Sequence, residues 1–215
     1  LSETVTDIPY SIEQTNAIES TSPLTLVQSG AGTGKSTVIL GRIQHMIDNG
    51  IDPKKILVLS FTNNAADNIL DRNPNVNSMT IDKMMRLIYM ENYPDHQLSS
   101  ISTIINSIDI YYDQKVRPMT QQQIDFTRQL SHILQRLRDK SEYTNALNFI
   151  SDHTAEVIDV LDTIKQTSLE LQGIICYLNM ATLKEPVETQ TEHLIIDEVQ
   201  DNSIAQFIYC IGYTE

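Results

Sequence analysis

Cysteine is scarce in the 215-residue chain, and glycine and proline are uncommon. The two cysteines, Cys176 and Cys210, are too few for a disulfide framework or a cysteine zinc site, and we expect buried thiols in a reducing compartment. Seven glycines and seven prolines exclude a collagen-like or low-complexity chain. The five histidines show no metal-ligand spacing, so the sequence predicts no histidine metal site.

No apolar segment approaches the ~18 residues that a membrane-spanning helix needs. The N-terminal segment has neither the basic region nor the apolar region of a signal peptide. We therefore expect a protein of the cytoplasm, or one that associates with nucleic acid inside the cell, without a membrane partner.

The formal net charge of the chain is −13, but the charge is unevenly distributed. Residues 115–140 contain six basic and two acidic residues, whereas residues 141–215 contain 13 acidic and two basic residues. A polyanion could bind only to the near-neutral first ninety residues or to the basic stretch. The acidic remainder should face solvent or a protein partner.

The first ninety residues alternate between predicted strands and predicted helices. We predict strands over residues 24–28, 55–60 and 78–81, and helices over residues 11–20, 35–49, 63–71 and from about 82 to 89. The pattern returns with a strand at residues 193–196 and a helix ending near residue 211. This alternation is typical of a doubly wound α/β fold with a parallel sheet.

Residues 91–188 show few strand signals, and we predict amphipathic helices over residues 123–140 and 156–171, with a break at Gly173. In the first helix, Arg128, Arg136 and Arg138 lie off the apolar stripe and are either solvated or in contact with phosphates. The sequence predicts a domain made of residues 1–90 and 189–215, interrupted by a helical insertion of residues 91–188. The stripe consists of Phe126, Leu130, Ile133, Leu134 and Leu137.

Residues 29–36 read Ser-Gly-Ala-Gly-Thr-Gly-Lys-Ser and match the P-loop pattern, except that Ser29 replaces the first glycine. Glycines let successive backbone N–H groups approach phosphates, and the following helix adds its positive N-terminal end. Lys35 would contact the β- and γ-phosphates, and the Ser36 hydroxyl would bind Mg²⁺. The predicted nucleotide-binding residues here are Ser29, Gly30, Ala31, Gly32, Thr33, Gly34, Lys35, Ser36 and Thr37.

Residues 194–201 read Leu-Ile-Ile-Asp-Glu-Val-Gln-Asp and place two carboxylates directly after an apolar strand. In open α/β sheets, ligands bind at the carboxyl ends of the strands. Because two adjacent carboxylates beside a triphosphate need a cation, we predict that Asp197 binds Mg²⁺ together with Ser36. Glu198 would then polarise the attacking water.

The two motifs together resemble those of superfamily 1 DNA helicases of the UvrD/Rep/PcrA type. Residues 12–14, Ile-Glu-Gln, resemble the Q motif of that family, and Gln14 lies 16 residues before Gly30, in agreement with the family spacing. Residues 60–66, Ser-Phe-Thr-Asn-Asn-Ala-Ala, resemble its motif Ia. The resemblance implies a RecA-like P-loop NTPase domain with a parallel sheet and an inserted helical subdomain.

The resemblance also implies an ATP-dependent DNA helicase, with ATP and Mg²⁺ as cofactors and single-stranded or partly duplex DNA as partner. Gln14 would select adenine, Lys35 and Glu198 would act in catalysis, and Gln200 would sense the γ-phosphate. DNA contacts would come from Phe61, Thr62, Asn63 and Thr80. The second RecA-like domain and its arginine fingers are expected outside the 215 residues, so that the isolated chain would bind Mg·ATP but hydrolyse it slowly.

Two departures from the family pattern favour an alternative. Asn64 stands where the family has lysine, and Asp82 stands where a histidine is usual. Both changes suit a degenerate helicase-like module that binds ATP as a switch or scaffold and recruits protein partners through its acidic surface. A small-molecule P-loop kinase is a further alternative, although such kinases rely on a basic lid that the sequence does not show.

Overall fold

A computed structural model describes residues 10–30, 32–113, 120–137, 139, 141–180, 183 and 191–212. The strands are β1 (Ile56–Ser60), β2 (Asn77–Thr80), β3 (Gln97–Leu98), β4 (Gln166–Thr167) and β5 (His193–Ile196). The helices are α1 (Ile12–Glu19), α2 (Lys35–Asp48), α3 (Asn63–Arg72), α4 (Ile81–Asn92), α5 (Ile101–Asp113), α6 (Gln121–Gln135), α7 (Tyr143–Asp152), α8 (Thr154–Ile164), α9 (Leu169–Leu178) and α10 (Ile204–Gly212).

The chain forms two compact units. The first comprises residues 1–78 and 190–197, and the second comprises residues 79–189 and 198–215. These bounds differ from the sequence-based division into residues 1–90 with 189–215 and residues 91–188. That the helical part is an insertion into a RecA-like domain stays a prediction.

The predicted parallel α/β sheet is confirmed. Its strand order is β2-β1-β5, and β1 and β5 run parallel with Leu57 opposite Leu194 and Val58 opposite Ile195. All five residues of β1 are buried, as expected for a parallel strand covered on both faces. Helix α2 contributes Ile43 and Met46 to the core of the first unit. The other buried members of that core are Ile56, Val58, Ile69 and Val76.

The prediction of a strand over residues 24–28 is wrong, because this segment has no regular secondary structure. Leu24 and Leu26 are 78% and 81% exposed. Apolar alternation shows only that a segment suits a sheet, whereas a strand also requires a neighbour that accepts and donates its backbone hydrogen bonds. The three-stranded sheet does not include this segment.

The second unit is mainly helical. Helix α9 packs against α4 and α10, while α5 packs against α6 and α8. The predicted helix over residues 123–140 is confirmed as α6 only up to Gln135, where the helix ends. Its stripe buries Leu130 and Leu134, and Leu137 is buried just beyond the helix end. Arg128 and Arg136 are exposed, and Arg138 lies outside the described residues.

The predicted single helix over residues 156–171 is wrong. The chain instead forms α8, then β4, then α9, because Lys165 adopts a left-handed conformation with φ 53°. Strand β4 pairs in parallel with β3. Gly173 is not a break but lies inside α9, where an added Cβ would be 3.4 Å from Cγ of Gln206 in α10.

The sparse cysteines and one histidine have structural roles in the second unit. Cys176 and Cys210 are free and buried, and burial raises the pKa of each thiol to about 12. The ring of buried His96 lies 2.8 Å from the Tyr89 hydroxyl at Nδ1 and 2.9 Å from an Asp162 carboxylate oxygen at Nε2. These polar contacts satisfy the ring nitrogens within the protein.

Among the described residues, no helix is both long and apolar enough to cross a membrane.

Candidate nucleotide-binding site

The P-loop residues form an exposed turn that leads directly into α2. Gly32 and Gly34 have φ angles of 74° and 90°, and Gly34 is the N-cap residue of the helix. Lys35, Ser36 and Thr37 are its first three residues, while Ala31 lies outside the described residues. The first N–H groups of a helix have no carbonyl partner within it. The turn therefore presents backbone donors and the positive end of a 14-residue helix, which suits an anion.

Gln14 connects α1 to this turn. Its Nε2 lies 3.4 Å from the Thr33 carbonyl oxygen, and an added Cβ on Gly34 would be 2.9 Å from the same nitrogen. Its Oε1 accepts a hydrogen bond from the Ser11 backbone N–H at 2.9 Å, and the Ser11 hydroxyl accepts one from the Gln14 N–H at 3.2 Å. Gln14 therefore closes a capping box at the start of α1 and also contacts the P-loop.

The carboxylate of Asp197 follows β5 at one edge of the sheet. The Asp197 backbone N–H donates to the Leu59 carbonyl at 2.8 Å, which extends the pairing of β5 with β1 by one residue. Because β1 and β5 are parallel, both strands end at the same edge. Residues 60–62, which follow Leu59, therefore lie at the edge occupied by Asp197.

A short connection joins α2 to β1 in the first unit. Helix α2 ends at Asp48, and only residues 49–55 separate it from β1. Its apolar face packs against β1 and against Ile195 of β5. A 14-residue helix is ~21 Å long, about the length of a five-residue strand and its flanks. That Lys35 and Ser36 lie at the edge where β1 and β5 end stays a prediction.

Glu198, the next residue after Asp197, has an unusual backbone conformation. Its φ and ψ angles are 52° and 47°, in the left-handed region that non-glycine residues rarely adopt. The Gln200 side-chain amide donates to a Glu198 carboxylate oxygen, and the Asp201 N–H donates to the Glu198 carbonyl at 3.0 Å. Such strained residues persist where surrounding bonds hold them, and they cluster at functional sites.

The donor atoms near the sheet edge fit magnesium. Ser36 offers a hydroxyl and Asp197 a carboxylate, and hard oxygen donors are what Mg²⁺ prefers. No group of three or more His, Cys, Asp or Glu side chains within the described ranges is arranged to hold a metal. Mg²⁺ typically takes one or two protein ligands and completes its shell with phosphate oxygens and waters.

Two of the four candidate DNA-binding residues have a structural role. The Thr62 hydroxyl caps α3 by accepting from the Ala65 N–H, and the Thr80 hydroxyl caps α4 by accepting from the Lys83 N–H. Asn63 is exposed, and the Phe61 ring is 54% exposed directly after β1. An exposed aromatic ring after a sheet strand is a suitable surface for stacking a base.

Asp82 contributes to tertiary structure in the second unit. Its carboxylate accepts a hydrogen bond of 2.7 Å from the Gln206 side chain, which joins α4 to α10. Loss of water around the carboxylate raises its pKa, the Gln206 hydrogen bond lowers it, and the negative charge of Glu170 raises it further. Sequence reasoning missed this contact, and no local pattern could have revealed it because the partners are 124 positions apart. Sequence reasoning also missed the capping role of Gln14, although the Ser-x-x-Gln pattern of residues 11–14 is the signal that could have found it.

Alanine substitutions at Gly34 and Gly50 should distinguish the effect of backbone strain on stability from the effect of displacing the Gln14 side chain. Both glycines have φ 90°, but an added Cβ at Gly50 meets nothing within 4 Å. We expect each substitution to lower the free energy of unfolding by about 1–2 kcal/mol, because a left-handed conformation disfavours Cβ. The added Cβ at Gly34 also displaces the Gln14 amide from the turn, so only Gly34→Ala should in addition weaken nucleotide binding. Denaturant unfolding and equilibrium nucleotide titration measure the two effects; equal behaviour of both variants would refute a role for the Gln14 contact.

The chain is similar to helicases in sequence. Residues 10–89 match the family described as the UvrD/REP helicase N-terminal domain. The chain is 24% identical to the ATP-dependent DNA helicase Rep of Buchnera aphidicola over 220 aligned positions, which cover 92% of the chain and 33% of that protein. It is 28% identical to the DNA helicase II of Rickettsia typhi, over 90% of the chain and 33% of that protein. A shorter match, 36% identical over 61 residues, is to the ATP-dependent DNA helicase PcrA of Staphylococcus aureus.

The chain thus spans about a third of the length of the two relatives that align with most of it. The match over residues 10–89 includes α1, the P-loop and α2, β1 and α4. Residues 10–89 belong to the UvrD/REP helicase N-terminal domain family, and the chain carries a portion of a UvrD-like helicase domain.

Proposed function

We propose that this chain is the ATP-binding motor domain of an ATP-dependent DNA helicase, which couples hydrolysis of Mg·ATP to movement along single-stranded DNA and to unwinding of duplex. The observation that carries the proposal is the glycine turn at the start of α2, with Gly34 at φ 90° as the N-cap. The sequence match to UvrD/REP helicases supports ATP as the nucleotide, because the relatives Rep and PcrA are ATP-dependent DNA helicases.

In this proposal the P-loop residues bind the phosphates. The backbone N–H groups of residues 30–36 and the positive end of α2 surround the β-phosphate, and Lys35 neutralises charge on the β- and γ-phosphates. Gln14, which already lies against Thr33 and Gly34, would exchange its hydrogen bond with the Ser11 N–H for one with the adenine edge. An amide can both donate and accept, as recognition of adenine requires.

Hydrolysis would require the two carboxylates after β5. Ser36 and Asp197 would hold Mg²⁺, which when bound neutralises charge on the phosphate oxygens. Glu198 would accept a proton from the attacking water, and its carboxylate is held by the Gln200 side chain until ATP binds. Gln200 would exchange its contact with Glu198 for one with the γ-phosphate and so report whether ATP or ADP is bound.

Binding measurements on the 215-residue chain test this function. We expect saturable binding of a fluorescent ATP analogue that requires Mg²⁺ and is displaced by ATP more readily than by GTP. We also expect binding to a single-stranded oligonucleotide, with an affinity that falls steeply as salt rises because phosphate contacts release counterions. Failure to bind Mg·ATP would refute the proposal.

The alternative is a helicase-like switch that binds ATP and recruits proteins. The observation that favours it is Asp82, where the family usually has histidine, because its carboxylate is committed to Gln206 in a helical contact. Asn64 removes a further positive charge from the loop after β1. Under this alternative Mg·ATP binds as before, but the oligonucleotide does not bind at any salt concentration.

A further inference from the structure

A groove of about 780 Å³ lies on the second unit between α6 and α8. Its walls come from one face of α6, which includes Gln122 and Phe126, and from the start of α8, which includes Glu156 and Asp159. His153, which immediately precedes α8, lies at one end. A volume of this size falls within the range of ~300–1,000 Å³ that is typical of ligand sites.

The base of the groove is aromatic. The Phe126 ring stacks on Phe149 with centroids 5.9 Å apart and meets the His153 ring edge-on at 5.5 Å. The rings of Phe149 and His153 are 4.8 Å apart. Phe126 and His153 are half-buried and line the groove. The packed rings fix the orientation of the Phe126 face, so it can receive a ligand without losing side-chain freedom.

The rim of the groove is acidic. Asp125, Glu156 and Asp159 line it with exposed carboxylates, and no lysine or arginine belongs to the part of the lining that the structure describes. Asp125 accepts a hydrogen bond from the neutral Gln121 side chain. Glu156 and Asp159 lie on the same face of α8, three positions apart, and have no hydrogen-bond or ion-pair partner within the described ranges. Like charges at that spacing destabilise a helix unless a cation lies between them.

An aromatic ring with carboxylates beside it is a site that suits an arginine side chain better than a lysine side chain. A planar guanidinium can stack flat on an aromatic face and donate from its edge to two carboxylates at once, whereas the compact, strongly hydrated lysine ammonium has no plane to stack. Phosphates would be repelled by the three carboxylates, which excludes a nucleic-acid backbone as the occupant. We propose that this groove binds an arginine-bearing segment of a partner protein, with a guanidinium on Phe126 and its donors toward Glu156 and Asp159. The proposal does not depend on ATP binding.

A peptide that alternates arginine and alanine, labelled with fluorescein, tests the groove by anisotropy titration against the 215-residue chain. We expect saturable binding that weakens with salt, and markedly weaker binding of the same peptide with citrulline, which keeps the planar group but removes its charge. The double variant Glu156→Gln/Asp159→Asn should weaken binding by about three- to tenfold, and Phe126→Leu by about two- to fivefold.

The matched control is Glu91→Gln/Asp95→Asn, which removes the same two charges from exposed residues of the second unit outside the groove. If the net charge of the chain alone attracted the peptide, this control would weaken binding as much as the groove variant, and the proposal would be wrong. Equal binding of the arginine and citrulline peptides would also overturn it. Because the four carboxylates are exposed, both double variants should keep the circular dichroism spectrum of the parent chain.

Discussion

Replacing Lys35 by alanine should weaken binding of Mg·ATP by about 10- to 100-fold, because a charge-assisted hydrogen bond to a phosphate contributes about 1.5–3 kcal/mol. Lys35 is the first residue of α2 and is half-buried beside the glycine turn. Its ammonium would contribute a charge that the backbone N–H groups do not have. The measurement is equilibrium titration of the 215-residue chain with a fluorescent ATP analogue in the presence of Mg²⁺.

Lys54→Ala is the matched control for this substitution. Lys54 is an exposed lysine of the same unit, in the short turn that precedes β1, so its loss changes the net charge equally. We expect its affinity for Mg·ATP to stay within about twofold of the parent chain. Should Lys35→Ala retain the affinity of the parent, the turn does not bind the phosphates of ATP and the proposed function fails.

Replacing Glu198 by glutamine should slow hydrolysis of bound ATP by about 10²- to 10⁴-fold, the usual contribution of a general base, while leaving the affinity for Mg·ATP within a few-fold of the parent. Glutamine keeps the size of the side chain and its ability to meet Gln200, but it cannot accept a proton from water. The slow turnover expected of the isolated chain calls for a single-turnover assay with radiolabelled ATP and excess protein.

Two variants make the Glu198 result specific. Asp201→Asn removes an exposed carboxylate three positions further on and should leave the single-turnover rate unchanged. Glu198→Asp keeps the carboxylate but shortens its reach, so its rate should fall between those of the parent and Glu198→Gln. A Glu198→Gln variant as fast as the parent would show that another group activates the water.

The motifs were readable from the sequence because each depends on local chemistry. A glycine turn before a helix and an apolar strand ending in a carboxylate both act through neighbours in the chain. The structure confirms the elements around them as α1, α2, β1 and β5. Their bounds differ from the predicted ones by only one or two residues, because caps such as Ser11 define helix starts physically.

The elements that sequence reasoning misplaced depend on distant neighbours or on a single dihedral angle. Residues 24–28 have the composition of a strand, but no strand of the described sheet pairs with them. The amphipathic period over residues 156–171 gave no sign that Lys165 would turn left-handed and divide α8 from α9. Gly173 suits α9 because Gln206 of α10 packs closely against it, and that contact joins segments far apart in sequence.

Because the Gln14 amide contacts both the start of α1 and the loop before α2, a ligand that binds to the loop should also affect α1. The Gln14 Oε1 accepts from the Ser11 N–H at the start of α1, and its Nε2 donates to the Thr33 carbonyl in the loop. A ligand that takes the Gln14 Oε1 atom away from the Ser11 backbone N–H opens the capping box, and the first turn of α1 should then fray. The hydrogen-exchange rate of the backbone amides in the first turn of α1 should therefore report whether a ligand occupies the loop before α2, without a dye or a label.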